Sequence, residues 1–216
     1  MNRMSDHPDW GYLVQEYHDL YRFGSAGGSR LIAGHRKQVR QEVGRALAAN
    51  PEVALEPAVS MPVCAHLSRA LDNGELERTA PMVRALAKVQ DKLVWRHGYH
   101  RMPKHLGRKY AFAEVMGPRG PVVWSGRVVL GLVLFAPKTT YPQHSHQGIT
   151  ESYVGLSGAV SENDNGVYVP GCLILNGPGH EHAITTQERE PALLAYAWAG
   201  EPEALHNQEM TFTRKT

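Results

Sequence analysis

His144 and His146 stand one residue apart, and Glu151 and then Gly158 follow them. Two imidazoles and a carboxylate at this spacing can converge on one metal ion. On a strand, alternate side chains share a face, so His144 and His146 point the same way, and residues 147–150 can turn to bring Glu151 alongside. The local structure expected from this run is a β-hairpin. Downstream, the segment Asn176-Gly177-Pro178-Gly179-His180-Glu181-His182 offers a fourth ligand. A Pro-Gly turn before a strand delivers a histidine three residues after its glycine, and that histidine is His182. His180 shares its parity, so both would face inward. His182 is the expected ligand, and His180 is expected to orient a ligand or the substrate from outside the shell.

Read together, the two segments give His-x-His-x4-Glu-x6-Gly and then Pro-Gly-x-x-His, which resembles the two metal motifs of the cupin superfamily. A shell of three histidines and one glutamate suits one divalent ion per chain, and ligand softness does not choose among Fe(II), Zn(II), Mn(II), Ni(II) and Co(II). An octahedral ion with four protein ligands keeps two positions for water or substrate. Tyr153 lies two residues beyond Glu151 on the same strand face, and Tyr141 lies three before His144 at the mouth of the motif. A free phenol titrates near ~10, and a neighbouring divalent cation stabilises its phenolate, which makes either tyrosine a candidate base for a carbon acid. Tyr196 and Trp198 share parity on a late strand and, with Trp124 and Tyr99, are candidates to line the substrate pocket.

The elements that must position these groups divide the chain in two. Trp10, Leu13, Val14, Tyr17, Leu20 and Tyr21 recur at helical spacing, and Gly24 to Gly28 breaks that helix. Leu31, Ile32, Val39, Val43, Ala46 and Leu47 trace a second stripe ending near Asn50-Pro51. Further helical regions are expected over about 62–71 and 76–95. Beyond Arg96-His97 the pattern changes to short apolar runs broken by Gly and Pro, the signature of antiparallel β architecture. Strands are expected at 128–135, 152–157, 166–169, 172–175, 182–185 and 192–198, with a tight hairpin turn at Asn165-Gly166. The fold class is therefore α+β: a helical region over residues 1–97 packing on a C-terminal antiparallel β-barrel over 98–216, of the double-stranded β-helix kind.

With 216 residues and 42% hydrophobic content, the chain can bury one substantial core. A formal net charge of +2, with Lys and Arg scattered, leaves no basic stripe for nucleic acid or an anionic membrane. No segment has the apolar run of a signal peptide or a membrane span, so a cytoplasmic location is expected. The two cysteines, Cys64 and Cys172, are expected as buried thiols, not a disulfide framework. The helical stripes need an apolar partner, and a homodimer is the commonest arrangement for a soluble oligomer.

The stretch Tyr141-Pro142-Gln143-His144-Ser145-His146-Gln147-Gly148-Ile149-Thr150-Glu151-Ser152-Tyr153 resembles the cupin-type dimethylsulfoniopropionate lyases. The likeness continues through Pro178 to His182 and on to about Trp198, and the helical first half fits that family's layout. The resemblance implies a divalent metal in the barrel and cleavage of dimethylsulfoniopropionate to dimethyl sulfide and acrylate. It also implies that Tyr153 is the base and Tyr141 a second active-site tyrosine. This chemistry suits the residues. A cation bound to the substrate carboxylate would stabilise the charge that develops as the α-proton leaves, and aromatic faces at Tyr196, Trp198 or Trp124 would attract the sulfonium. The same ligand set also suits a mononuclear Fe(II) dioxygenase, and the fold also serves non-catalytic cupins that bind small ligands.

Overall fold

A computed structural model describes residues 2–98 and 103–207. The helical half comprises α1 (Pro8–Phe23), α2 (Arg30–Ala49), α3 (Leu67–Gly74) and α4 (Ala80–Ala87). Pro8 opens α1, where its missing N–H costs nothing, and Trp10, Leu13, Val14, Tyr17 and Tyr21 form its buried face. Ser29 caps α2 by accepting from the Ile32 N–H at 3.3 Å, and Asn50 ends it in the left-handed region at φ 48°. The buried stripe of α2 is His35, Arg36, Val39, Glu42, Val43 and Ala46. Leu31, expected within it, is 79% exposed.

The helix expected over 76–95 is only half as long as its sequence pattern suggests. Pro81 lacks an N–H and so sits in the first turn, which fixes the start of α4. At the other end, Val94 pairs with Val59 and Arg96 with Phe112, so this backbone is drawn into extended bridges. Trp95 is buried from that extended segment.

The second half comprises β1 (Tyr110–Gly117), β2 (Val122–Val123), β3 (Val128–Phe135), β4 (Thr140–His144), β5 (Ile149–Ser157), β6 (Val160–Glu162), β7 (Val167–Tyr168), β8 (Leu173–Asn176), β9 (His182–Thr186) and β10 (Ala192–Gly200), closed by α5 (Pro202–His206). They form a six-stranded sheet in the order β2-β1-β3-β10-β5-β8 and a four-stranded sheet in the order β4-β9-β6-β7. Alternation along the strands of the larger sheet separates two environments. Leu130, Leu132, Leu134, Val154, Leu156, Ala195, Ala197 and Ala199 share one core with Trp10, Leu13, Val14, Tyr17 and Tyr21. Tyr110, Phe112, Val133, Phe135, Tyr153, Leu194, Tyr196 and Trp198 form the other, between the sheets, with Tyr141, Val160 and Ile184.

The helical stripes are thus spent on the barrel itself, each fully buried Leu or Val contributing about 1.5–3 kcal/mol of transfer free energy. The alanines of β10 share this core with the large side chains of α1, and the Tyr17 hydroxyl donates to the Gly131 carbonyl at 2.5 Å. Cys64 and Cys172 are free, and both are half-buried instead of fully buried. The hairpin between β6 and β7 turns at Asn163-Asp164, with φ 47° and 60°, two residues before the expected Asn165-Gly166. Asn163 is held there because its amide donates to the Glu181 carbonyl and its side-chain oxygen accepts from the Ala183 N–H, both at 2.9 Å. Among the described residues no helix is long and apolar enough to cross a membrane.

Candidate metal centre and active site

The ligand motif spans the gap between the two sheets. His144 ends β4 in the smaller sheet, His146 follows it in the connecting loop, Gln147-Gly148 turn with Gly148 at φ 70°, and Glu151 lies on β5 in the larger sheet. The expected hairpin is therefore an inter-sheet crossing. His146 reaches the centre from irregular backbone, not from strand parity.

An irregularity in β4 places the tyrosine before it. Tyr141 pairs with Ile184 and His144 with His182, so three steps on β4 match two on β9. Pro142 cannot donate to the ladder, and the extra residue is taken up as a bulge. Tyr141 and His144 consequently both face inward despite their odd spacing, with their rings 4.6 Å apart edge to face.

His144, His146, Glu151 and His182 are all buried, and one ligand atom from each lies within 4.8 Å of the others. The tautomers of two histidines follow from their partners. His144 Nδ1 lies 2.9 Å from the Pro142 carbonyl and His182 Nδ1 lies 3.1 Å from the His180 carbonyl. A carbonyl only accepts, so each Nδ1 carries the proton and each Nε2 offers a lone pair. Nε2 of His144, His146 and His182 and Oε2 of Glu151 are buried without a hydrogen-bond partner. His182 Nε2 and Glu151 Oε2 approach to 2.8 Å, but the contact is not directed as a hydrogen bond. Four orphaned donor atoms converging in this way suit a divalent cation and little else, since buried polar groups otherwise find partners.

Charge in the cluster is already arranged for a metal. Burial, assisted by the neighbouring His182, pushes His144 down to about 3, and burial likewise lowers His146. Burial alone would raise Glu151, but the surrounding His146, His182 and His144 outweigh it and hold the carboxyl well below the usual range. Burial alone would lower His182, but the Glu151 carboxylate overrides it and raises the imidazole. His182 therefore keeps its proton longest, so a cation bound here would have to displace it, and affinity for a metal would rise with pH.

The remaining candidates fall into place around this cluster or away from it. On β10, Trp198 pairs with Glu151 and Tyr196 with Tyr153. The Trp198 indole donates to Glu151 Oε1 at 2.6 Å, so it orients a ligand carboxylate as well as offering an aromatic face. Tyr196 lies over Gly131, where an added Cβ would come within 2.3 Å of its ring, and packs 4.8 Å from Trp198. Tyr153 is buried on the ligand face of β5, its ring 6.4 Å from that of His182. The His180 side chain is exposed, and its contribution is the backbone carbonyl that holds His182. Trp124 packs against the helix-side core and is not brought to the cluster. Tyr99 lies outside the described residues. Tyr110, which the metal motifs do not point to, accepts from the Tyr141 hydroxyl at 3.2 Å, their rings 4.5 Å apart. Its signal was available in Tyr110-Ala-Phe-Ala-Glu-Val, where large and small residues alternate with period two.

Between Glu151 and Tyr153, Ser152 points to the opposite face and is fully buried. Its Oγ lies 2.7 Å from both the Tyr21 hydroxyl and His35 Nε2, and 3.4 Å from the Ala197 carbonyl. One hydroxyl proton serves the carbonyl, so Tyr21 and His35 donate to Ser152. The helices thereby grip the strand that carries both a ligand and the candidate base. Burial lowers His35 to about 4. Below its unfolded pKa near ~6.5 the unfolded chain takes up a proton that the folded chain refuses until about pH 4, so stability is lost as pH falls through that window. In urea unfolding, His35→Gln is expected to remove roughly 2 kcal/mol of the loss that wild type suffers between about pH 7 and 5. An unchanged difference between the two pH values would remove His35 as its source.

Two facing sheets with three histidines and a glutamate between them define a cupin with a candidate metal centre. The profile of the dimethylsulfoniopropionate (DMSP) lyase family matches residues 35–194. The chain belongs to that family. It is 54% identical over 208 residues to the DddL protein of Cereibacter sphaeroides, named as a dimethylsulfoniopropionate lyase, covering 96% of this chain and 89% of the relative. Two solved structures share the fold at 20% identity. One, described among crystal structures of the DMSP lyases RdDddP and RnDddQII, has a TM-score of 0.70 over 96% of this chain and 99% of its own. The other, the DMSP lyase DddQ from Ruegeria pomeroyi DSS-3, has a TM-score of 0.68 over 95% and 96%.

Proposed function

We propose that this chain is a cytoplasmic, metal-dependent lyase that cleaves DMSP to dimethyl sulfide and acrylate, with Tyr153 as the base. The observation that carries the reading is the buried, converging set of His144, His146, Glu151 and His182 with Tyr153 on the same strand face as Glu151. Family membership favours elimination over the dioxygenase and binding-protein alternatives.

One divalent ion, drawn from Zn, Fe, Mn, Ni and Co, would be held by these four residues and would supply Lewis-acid stabilisation of the substrate carboxylate. Tyr153 takes the proton from the carbon next to that carboxylate. The electron pair forms the new carbon–carbon double bond as the carbon–sulfur bond breaks, and sulfur leaves as neutral dimethyl sulfide. The proton passes from Tyr153 to solvent, and acrylate remains. Tyr141, held against Tyr110 and His144, fixes the substrate's approach. The faces of Trp198 and Tyr196 contact the sulfonium, where cation–π attraction contributes ~0.5–2 kcal/mol.

The direct test is anaerobic incubation of metal-analysed protein with DMSP, measuring both products. Equimolar dimethyl sulfide and acrylate, abolished by a chelator, is the expected result. No product from metal-loaded protein would overturn the reading and turn attention to oxygen uptake. A homodimer belongs to the same proposal, with Tyr12, Phe23 and Leu31 as the apolar side chains of α1 and α2 left exposed for it. Light scattering gives its mass.

A further inference from the structure

We infer that Glu162, steadied by Asn176, is the negative wall of the substrate site and selects a positively charged leaving group over a neutral one of equal shape. This rests on the lyase reading and extends it to how the cationic end of the substrate is recognised.

Val160 and Glu162 share a face of β6, and Val160 belongs to the core between the sheets, so Glu162 points inward and is only 6% exposed. It pairs with Ile184 on β9, two residues from His182. Asn176 is the direct cross-strand partner of Glu151 on the larger sheet. Its amide donates to Glu162 Oε1 at 2.7 Å, so the pair spans the two sheets beside the ligand cluster. The donated bond fixes the amide orientation and leaves Asn176 Oδ1 buried with no partner, although the residue is only 2% exposed. An acceptor-only carboxylate and an unused carbonyl oxygen thus lie together on the ligand side of the barrel.

No lysine, arginine or histidine among the described residues lies within ion-pair distance of Glu162, whose charge reaches only as far as a longer-range pull on His182, whereas Glu42 and Glu114 each have one ion pair and Glu151 has two. A buried anion is costly unless a cation offsets it, and one amide hydrogen bond does not supply the charge. A divalent cation held by the four ligands would supply the balancing charge. A divalent cation with Glu151 leaves one net positive charge at the ligand cluster, and Glu162 adds one negative charge beside it. The site is then neutral but polar, like the zwitterion it is proposed to bind: carboxylate towards the metal, sulfonium towards Glu162, Asn176 Oδ1 and the aromatic rings.

Two unreactive probes of the same shape isolate the charge of the end group: 3-(trimethylammonio)propanoate and its carbon isostere 4,4-dimethylpentanoate, in which a neutral tert-butyl group replaces the cation. Calorimetric titration of metal-loaded wild type is expected to show at least tenfold tighter binding of the ammonium probe. Glu162→Gln keeps the acceptor for Asn176 and is expected to abolish this preference, weakening the ammonium probe at least tenfold and the neutral one less than twofold. Asn176→Ala, which releases Glu162 without removing its charge, is expected to reduce the preference partially, and it carries the test if the Gln variant does not fold. A preference retained in a folded Glu162→Gln, or an equal loss for both probes, would overturn the role of Glu162 while leaving the lyase reading intact. Wild type that binds neither probe would overturn this inference, while the lyase reading stands or falls separately on product formation from DMSP.

Discussion

Tyr153→Phe is expected to lower kcat by ~10² to 10⁴, the usual contribution of a positioned general base, while bound metal stays at the wild-type level. The reason lies in β5. Glu151 and Tyr153 are separated by one residue, face the same interior and are backed by Trp198 and Tyr196 on β10. A phenol at that position would face a substrate held at the ligand cluster, yet none of the four ligand atoms belongs to it. Removing one oxygen from a 5% exposed ring leaves the packing of the ring intact, so folding and metal uptake are expected to survive. Tyr141→Phe should be milder, because Tyr141 bonds to Tyr110 and abuts His144, which fits a positioning role. Metal analysis beside steady-state kinetics with DMSP separates these outcomes. A Tyr153→Phe protein that keeps most of its kcat would remove Tyr153 as the base, and a loss of metal in parallel with rate would assign it to the metal shell instead.

How far sequence reaches here depends on whether the information is local. The α1 face, the apolar run of β3 and the identities of His144, His146, Glu151 and His182 are legible because strand and helix periods act within a few residues. The inward turn of Tyr141 is not, because simple alternation puts it on the face opposite His144. Only the bulge at Pro142-Gln143, visible once β4 is paired with β9, restores it. The motif likewise looks like a hairpin, since nothing within residues 144–151 reveals that the strands on either side belong to different sheets. Trp198, forty-seven residues from Glu151, is legible as an aromatic but not as the donor to its carboxylate. The role of Ser152 is hidden for the opposite reason: its parity is plain, but its partners Tyr21 and His35 come from helices more than a hundred residues earlier.

His182→Ala is expected to remove metal and activity together, whereas His180→Ala should leave metal affinity within about twofold of wild type, since it keeps the backbone carbonyl that orients His182. The two histidines have the same parity and similar neighbours in sequence, so their contrast is a sharp measure of what the fold adds. His182 Nε2 is buried and lies 2.8 Å from Glu151 Oε2, while the His180 ring is exposed and lies parallel to that of His182 at 6.4 Å. Trp198→Phe provides the scale: it keeps the aromatic face but deletes the 2.6 Å bond to Glu151, and loss of such an outer partner typically costs ~10- to 100-fold in metal affinity. The loss in His182→Ala should exceed that. The affinities of His180→Ala and Trp198→Phe should weaken as pH falls, because the proton that His182 retains competes with the metal. The competition should shrink in His182→Ala, where that proton has no site, so the pH slope of metal binding reports the ligand role independently of turnover. A His182→Ala protein with full metal and an unchanged slope would assign the fourth position to another group, and the parallel measurement on His180→Ala would show whether that group is its neighbour.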